Sequence, residues 1–221
     1  MRKFIILGIQ GSGKGTQAAM LERDLGIVHI SVGNIFRWNI QHHTKLGARI
    51  KRFVAAGTPV ADDLVEEVVR VRLDQHDWNY GFVLDGFPRN DKQAEFFLES
   101  YDIDAVIQIE VREDVVFKRI MGRRLCTHCG IDYNLIQHRP KEPEQCDVCG
   151  KQLSTREEDS PGVIRSRIAE YHGKTQPLQE LFRRKGLVVT VDGMAPPDDV
   201  QAEIRGKLNL NSRTVSSGPG Q

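Results

Sequence analysis

Gly8-Ile9-Gln10-Gly11-Ser12-Gly13-Lys14-Gly15-Thr16 follows directly on the apolar run Phe4 to Leu7, and this junction decides how the rest of the chain is read. A short run that is apolar without alternation suits a strand buried on both faces. Ala18, Leu21 and Leu25 then recur at helical spacing, so the glycine-rich stretch turns a buried strand into a helix that begins near Gly15. Glycines at 8, 11, 13 and 15 let the backbone take positive φ and come close to a ligand, while successive N–H groups and the helix N-terminus converge on phosphate oxygens. Lys14 adds a mobile cation. The pattern G-x-x-x-x-G-K between a strand and a helix marks a phosphate site, whereas the same glycines without those flanks would describe only a turn. That pattern normally continues with a Ser or Thr hydroxyl for magnesium, but here Gly15 follows the lysine and the hydroxyl comes at Thr16.

Four more β-branched and apolar runs lie outward from the loop: Val28 to Ile30, Phe82 to Leu84, Ala105 to Ile109 and Leu187 to Val191. Between them Leu64, Val68 and Val71 mark one helix, Ala94, Phe97 and Leu98 a second, and Val115, Val116 and Ile120 a third. A further helical pattern runs from Gly162 to Arg184, with a bend expected at Pro177. Strand and helix alternate, which predicts an α/β fold: a five-stranded parallel sheet flanked by helices, P-loop NTPase-like, with ligands outside the carboxyl ends of the strands. Two stretches interrupt the alternation and read as small insertions. Ser31 to Val60 carries short helices and no strand, and Gly57-Thr58-Pro59 stops it before the acidic helix start at Asp62 and Asp63. Gly122 to Asp159 is loop-rich and too small to bury a core of its own.

With 221 residues the chain can hold one sizeable core with insertions. Its 31 basic and 30 acidic side chains nearly cancel, which argues against a protein that coats nucleic acid or an anionic membrane. No apolar run approaches the roughly 20 residues of a membrane span, and Phe4 to Leu7 is too short for a signal-peptide core. A cytoplasmic protein is expected. After Asn209 the chain turns to Ser, Gly and Pro, the composition of a disordered tail.

All four cysteines fall in two C-x-x-C pairs, Cys126/Cys129 and Cys146/Cys149. Disulfide staples would be scattered, so one metal site of four thiolates is the better reading, with two redox pairs as the alternative. A glycine after each pair, Gly130 and Gly150, permits the tight turn in which backbone N–H groups face the thiolates. His128 is not expected to be a ligand, and His42, His43, His76, His138 and His172 show no spacing that suggests chemistry. A second polar cluster, Asp85-Gly86-Phe87-Pro88-Arg89, stands where the third strand leaves the sheet. Alone it would be an ordinary Asp-Gly turn. Beside a phosphate loop, Asp85 suits magnesium held through water and Arg89 a bidentate grip on phosphate.

In these motifs the chain closely resembles the adenylate kinases. The resemblance rests on Gly8 to Gln17, Gly33 to Arg37, Asp85 to Arg89, Gly122 to Arg124, Arg156 with Asp159, Arg165 to Arg167 and Val191 to Gly193, in the family's order. It implies Mg-dependent, reversible phosphoryl transfer between ATP and AMP by a monomer with no nucleic-acid or membrane partner. It also implies a core of residues 1–31, 61–121 and 160–206, a monophosphate-binding insertion at 32–60, a zinc-binding lid at 122–159 and a disordered tail at 207–221. By position, Lys14, Asp85, Arg89, Arg123, Arg156 and Arg167 would be catalytic. ATP would lie on Gly11, Ser12, Gly13, Lys14, Gly15, Thr16, Arg119, Arg123, Asp132, Tyr133 and Ala195, with Arg156 and Arg167 reaching its phosphates. AMP would lie on Val32, Arg37, Thr58, Pro59, Val60, Gly86, Phe87, Pro88, Arg89, Gln93, Arg156 and Arg167. Cys126, Cys129, Cys146 and Cys149 would hold a structural zinc.

Three residues depart from the family pattern. Val32 stands where a threonine is usual beside the acceptor base, which leaves open a kinase of the same fold for another nucleoside monophosphate. Asn34 replaces the usual acid. Asp132 precedes Tyr133 where a small hydroxyl residue is common, and its carboxylate needs a neutralising arginine if it faces ATP. A zinc-ribbon module that binds nucleic acid or protein is the reading from another class. Near-zero charge and the lack of aromatic residues around the knuckles, where only Tyr133 occurs, count against it.

Overall fold

Phe4, Ile5, Ile6 and Leu7 are all buried, and they point into two different cores. This follows from the two-residue period of a strand whose faces are both covered. In the computed structural model, which describes residues 2–156 and 158–210, the run forms β1 (Lys3–Leu7) and leads through the glycine loop into α1 (Lys14–Leu25). The chain continues as β2 (Val28–Ser31), α2 (Val32–Gln41), α3 (Lys45–Ala56), α4 (Asp62–Asp74), β3 (Phe82–Asp85), α5 (Asp91–Ser100), β4 (Ala105–Glu110) and α6 (Glu113–Met121). A small hairpin, β5 (Arg123–Leu125) and β6 (Asp132–Asn134), precedes α7 (Pro161–Glu170), α8 (Gln176–Arg184), β7 (Val188–Asp192) and α9 (Pro197–Lys207).

The five strands of the main sheet are parallel, in the order β2-β3-β1-β4-β7. One face packs Ile5, Leu7, Phe82 and Leu84 against Val69 and Leu73 of α4, Phe97 of α5 and Phe182 of α8. The other packs Phe4, Ile6 and Ile107 against Leu21 of α1 and Ile204 of α9. After β3 the chain crosses from one side of β1 to the other to form β4, and such a crossing opens a crevice beyond the strand ends. The register sets Ile6, one residue before the end of β1, beside Asp85, and Asp85 beside Ser31, so the ends of three strands meet next to the loop.

The first insertion consists of α2 and α3, which pack against each other. The Thr44 hydroxyl caps α3 by accepting from the Gly47 N–H at 3.0 Å, and Gly57, with φ of 68°, ends it. Gly47 lies against the end of α2 so closely that a Cβ would stand 2.2 Å from the Asn39 carbonyl oxygen. The second insertion folds around β5–β6, which gathers Tyr133 and Leu153 with the cysteines into a small core of its own.

Three expectations need correcting. In α4 the fully covered stripe is Val65, Val69 and Leu73, while Val71 is exposed; apolar residues at 64, 65, 68, 69, 71 and 73 allow two stripes, and packing selects the second. The irregularity before Pro177 is a π-helical turn, Tyr171–Thr175, and α8 starts immediately after it. The proposed tail is ordered as far as it is described, because Leu208 and Leu210 pack on the α1/α9 core; the rest of that tail, 211–221, lies outside the described residues.

Candidate active site

The loop after β1 is shaped by close approach. Gly11 has φ of 82°, and a Cβ there would meet Ile120 Cγ1 at 2.7 Å, so only glycine fits between loop and α6. Gly13, also left-handed, starts α1 without a side-chain cap, which leaves the first N–H groups of the helix facing outward. The Ser12 hydroxyl is buried with no protein partner. Lys14 curls back, and its Nζ donates to the carbonyls of Gly8 at 2.7 Å and Ile9 at 2.8 Å. Burial lowers its pKa to about 8, with Asp85 opposing the shift and Arg89 and Arg123 adding to it.

Asp85 accepts from the Ser31 hydroxyl at 3.4 Å and lies 3.7 Å from His29 Nε2. Burial pushes its carboxyl up, but the His29 imidazole, Lys14 and Arg89 outweigh that and hold it below its ordinary value. It is therefore an anion at neutral pH, poised to neutralise a lysine or to serve a cation.

Loop, Asp85 and hairpin enclose one cleft of about 880 Å³. Seven arginines line it, and Arg37, Arg123, Arg156 and Arg167 are engaged by acceptors brought in from other segments. Arg37 donates to Glu158 at 3.2 Å and also bonds the Asn34 side-chain carbonyl. Arg123 pairs with Asp159 at 3.3 Å, Arg156 with Asp132, and Arg167 donates to Gln10 at 3.1 Å and to the Val54 carbonyl at 3.3 Å. Arg89 donates from Nε to the Gly86 carbonyl at 2.9 Å. Burial, and then mutual repulsion with Arg156, lowers Arg37 to about 10; burial likewise lowers Arg123 and Arg167. So many guanidinium groups in one cleft call for anions, and phosphate is the anion whose geometry suits them.

Of the residues singled out in the sequence, Gly11, Gly13, Lys14, Gly15, Thr16, Arg37, Asp85, Gly86, Pro88, Arg89, Arg119, Arg123, Asp132, Tyr133, Arg156 and Arg167 line this cleft. The others do not. Ser12 sits just beneath the loop, Val32 and Phe87 are buried in the core, and Val60 and Ala195 pack against it. Thr58 and Pro59 border a separate groove beside α7. Gln93 is buried, with its amide fixed between Asp62 and the Arg89 N–H. Asp132 has its arginine, Arg156. Sequence reasoning passed over His29, Gln10, Thr175 and Asp198, all at the cleft, and set aside His138, which lines it and stacks on Tyr133 at 5.2 Å. Only Gln10 belongs to a motif, at an unspecified position of the glycine loop. His29 alone carried a positional signal, since it alternates with Ile30 at the end of a strand beside Asp85.

The four cysteine sulfurs lie within 4.8 Å of one another and none is in a disulfide. Cys126 and Cys149, from different pairs, approach to 3.5 Å, near the edge of about 3.8 Å expected for thiolates at ~2.3 Å from a shared tetrahedral ion. Convergence on one point fits a single metal and not two redox pairs. Gly130 and Gly150, with φ of 71° and 67°, turn the two knuckles. His128 bonds Lys151 and stays outside the cluster. Tyr133 joins the two sites: its ring lines the cleft while its hydroxyl lies 3.5 Å from Cys146 Sγ and accepts from the Asp147 N–H at 2.9 Å.

A family profile described as adenylate kinase matches residues 6–187. Curated relatives with that name include one from Caldicellulosiruptor saccharolyticus, 42% identical over 213 residues, which cover 94% of this chain and 99% of the relative. One from Streptomyces avermitilis is 42% identical over 204 residues, 90% and 93% of the two chains. One from Methanocella arvoryzae is 38% identical over 211 residues, 93% and 98%.

Proposed function

The chain belongs to the adenylate kinase family and transfers a phosphoryl group between ATP and AMP, and from that premise we propose how its own residues perform the transfer. Residues 122–159 act as the lid over ATP and residues 32–60 as the insertion that holds AMP. Lys14 leaves the Gly8 and Ile9 carbonyls for the ATP phosphates, which the N–H groups from Gly11 to Thr16 cradle. Arg123, Arg156 and Arg167 exchange their protein partners for phosphate oxygens, and Arg37 and Arg89 do the same for the acceptor. Arg119, Asp132 and Tyr133 flank the donor nucleotide. Val32, Thr58 to Val60 and Gln93 border the acceptor base only after local rearrangement, since they lie away from the cleft in this arrangement.

In-line transfer needs two anionic nucleotides held in register and the charge on the transferring oxygens neutralised. Magnesium bound with ATP supplies part of that neutralisation, and the ionised Asp85 and the Thr16 hydroxyl are the side chains suited to hold it. Closure of lid and insertion excludes water, so the phosphoryl group goes to AMP and is not lost to hydrolysis. The four thiolates suit zinc in a structural role, because four protein ligands leave no position for substrate. A monomer is what the family resemblance implies, and the four thiols, none of them in a disulfide, suit the reducing cytoplasm.

The observation that carries this reading is the convergence of Lys14, Asp85, Arg37, Arg89, Arg123, Arg156 and Arg167 on one cleft beyond the ends of β1 and β3. A coupled assay of the magnesium-supplied protein tests it, together with Arg37→Ala. The variant is expected to raise KM for AMP at least tenfold and leave KM for ATP within twofold. Equal effects on both nucleotides would remove Arg37 from the acceptor half.

A further inference from the structure

The π-helical turn Tyr171–Thr175 has a local cause. Pro177 lacks an N–H and its ring crowds the carbonyl four residues back, at Gly173, so a regular helix through this point is disfavoured and one wider turn relieves it. The widened turn re-aims two side chains that line the cleft. The Tyr171 hydroxyl accepts from Gln108 and from Gln179, each at 3.0 Å, which ties the turn to β4 and α8. Thr175 is buried, and its hydroxyl donates to the Arg89 carbonyl at 3.0 Å.

Arg89 itself is exposed, with a long stem. Its backbone is held on both sides. The N–H donates to Gln93 Oε1 at 2.8 Å, and the Gln93 amide nitrogen is anchored on Asp62 at 2.6 Å. On the other side the carbonyl is held by Thr175. With both peptide groups fixed, the direction in which the stem leaves the backbone is fixed too, and the bond from Nε to Gly86 completes the constraint. Fewer orientations remain to be lost when a phosphate is gripped.

We propose that Thr175 is a positioning residue for phosphoryl transfer: its hydroxyl, presented by the π-helical turn, holds the Arg89 backbone so that the guanidinium meets the acceptor phosphate. The inference rests on the assignment of Arg89 to the acceptor. Thr175→Val removes the hydroxyl and keeps the shape; Thr175→Ser keeps the hydroxyl. In steady-state kinetics Thr175→Val is expected to lower kcat/KM for AMP about tenfold with KM for ATP unchanged, and Thr175→Ser to stay within about twofold of the parent. Thr175→Ala, measured alongside, serves if the valine variant does not fold. Loss shared equally by both nucleotides, loss in Thr175→Ser as large as in Thr175→Val, or no loss at all overturns the proposal. Arg89→Lys separates the two levels. If it impairs AMP while Thr175→Val does not, only the positioning role falls; if Arg89→Lys leaves AMP kinetics unchanged, the assignment of Arg89 falls and the role of Thr175 with it.

Discussion

Lys14 shows how a residue can be legible while its state is not. The spacing of glycines named it as the cation of a phosphate site, but nothing in the sequence says that its Nζ bonds two carbonyls of its own loop. Burial lowers its pKa to about 8, from 10.5 in an open chain. Below pH 8 the folded protein therefore carries a charge that burial disfavours, at a cost on the order of 3 kcal/mol, and this penalty fades as pH rises from 8 to 10.5. Lys14→Met is expected to reduce phosphoryl transfer by about 10²–10³-fold while raising the melting temperature of the nucleotide-free protein at pH 7. The stabilisation should shrink as pH rises from 8 towards 10.5, above which the parent lysine is neutral in both states. A variant less stable than the parent at pH 7 would show that the two carbonyl bonds outweigh desolvation. Val32 is the opposite case. Its place in the motif pointed to the acceptor base, yet its side chain is apolar and belongs to the core beside Phe36.

At the level of elements, β1 through β4 and most helices could be read because each strand is buried on both faces and each helix is punctuated. Gly57 stops α3, Asp62 and Asp63 start α4, and Asn90 caps α5 by accepting from the Gln93 N–H at 3.0 Å. What escaped was the outcome of competition between neighbours. Two apolar stripes were available in α4, and Pro177 was compatible with either a bend or a widened turn. Gly47 illustrates the same limit, because its importance arises from a chain crossing that no local pattern encodes. Gly47→Ala would set a Cβ against the Asn39 carbonyl and force α2 and α3 apart. Overpacking of this kind costs about 1–3 kcal/mol. Since Arg37 lies on α2, KM for AMP should rise along with the loss of stability seen in thermal unfolding. Unchanged KM with lowered stability would mean that α2 keeps its aim when α3 moves.

Across the whole molecule, both insertions fold over the cleft and touch each other. Gln41 of α2 donates to the Thr127 carbonyl at 2.6 Å, and Arg37 reaches Glu158. Carboxylates from the second insertion thus occupy arginines that the proposed mechanism gives to phosphates, so nucleotide binding has to draw those guanidinium groups from one set of anions to another. The second insertion can offer those carboxylates only if it holds its own shape. Its core consists of Cys126, Tyr133, Cys146 and Leu153, with Cys129, Ile131 and Cys149 at its edge, and it is separate from the two cores that flank the sheet. So little apolar surface cannot fold a loop-rich segment unaided, whereas a structural zinc site supplies folding free energy of order 10 kcal/mol in small domains. Stripping the metal with a chelator should therefore unfold the lid at a temperature where the parallel sheet persists. Calorimetry is expected to show a new early transition, and far-ultraviolet circular dichroism should retain most of its helical signal. KM for ATP should rise more than KM for AMP, because Arg123, Arg156, Asp132 and Tyr133 all belong to the segment that loosens. Tyr133→Phe should release the metal faster than the parent, since its hydroxyl faces Cys146 and anchors Asp147. A melting curve that stays the same after verified metal loss would mean that the four thiolates do not hold the lid together, and that the small core suffices.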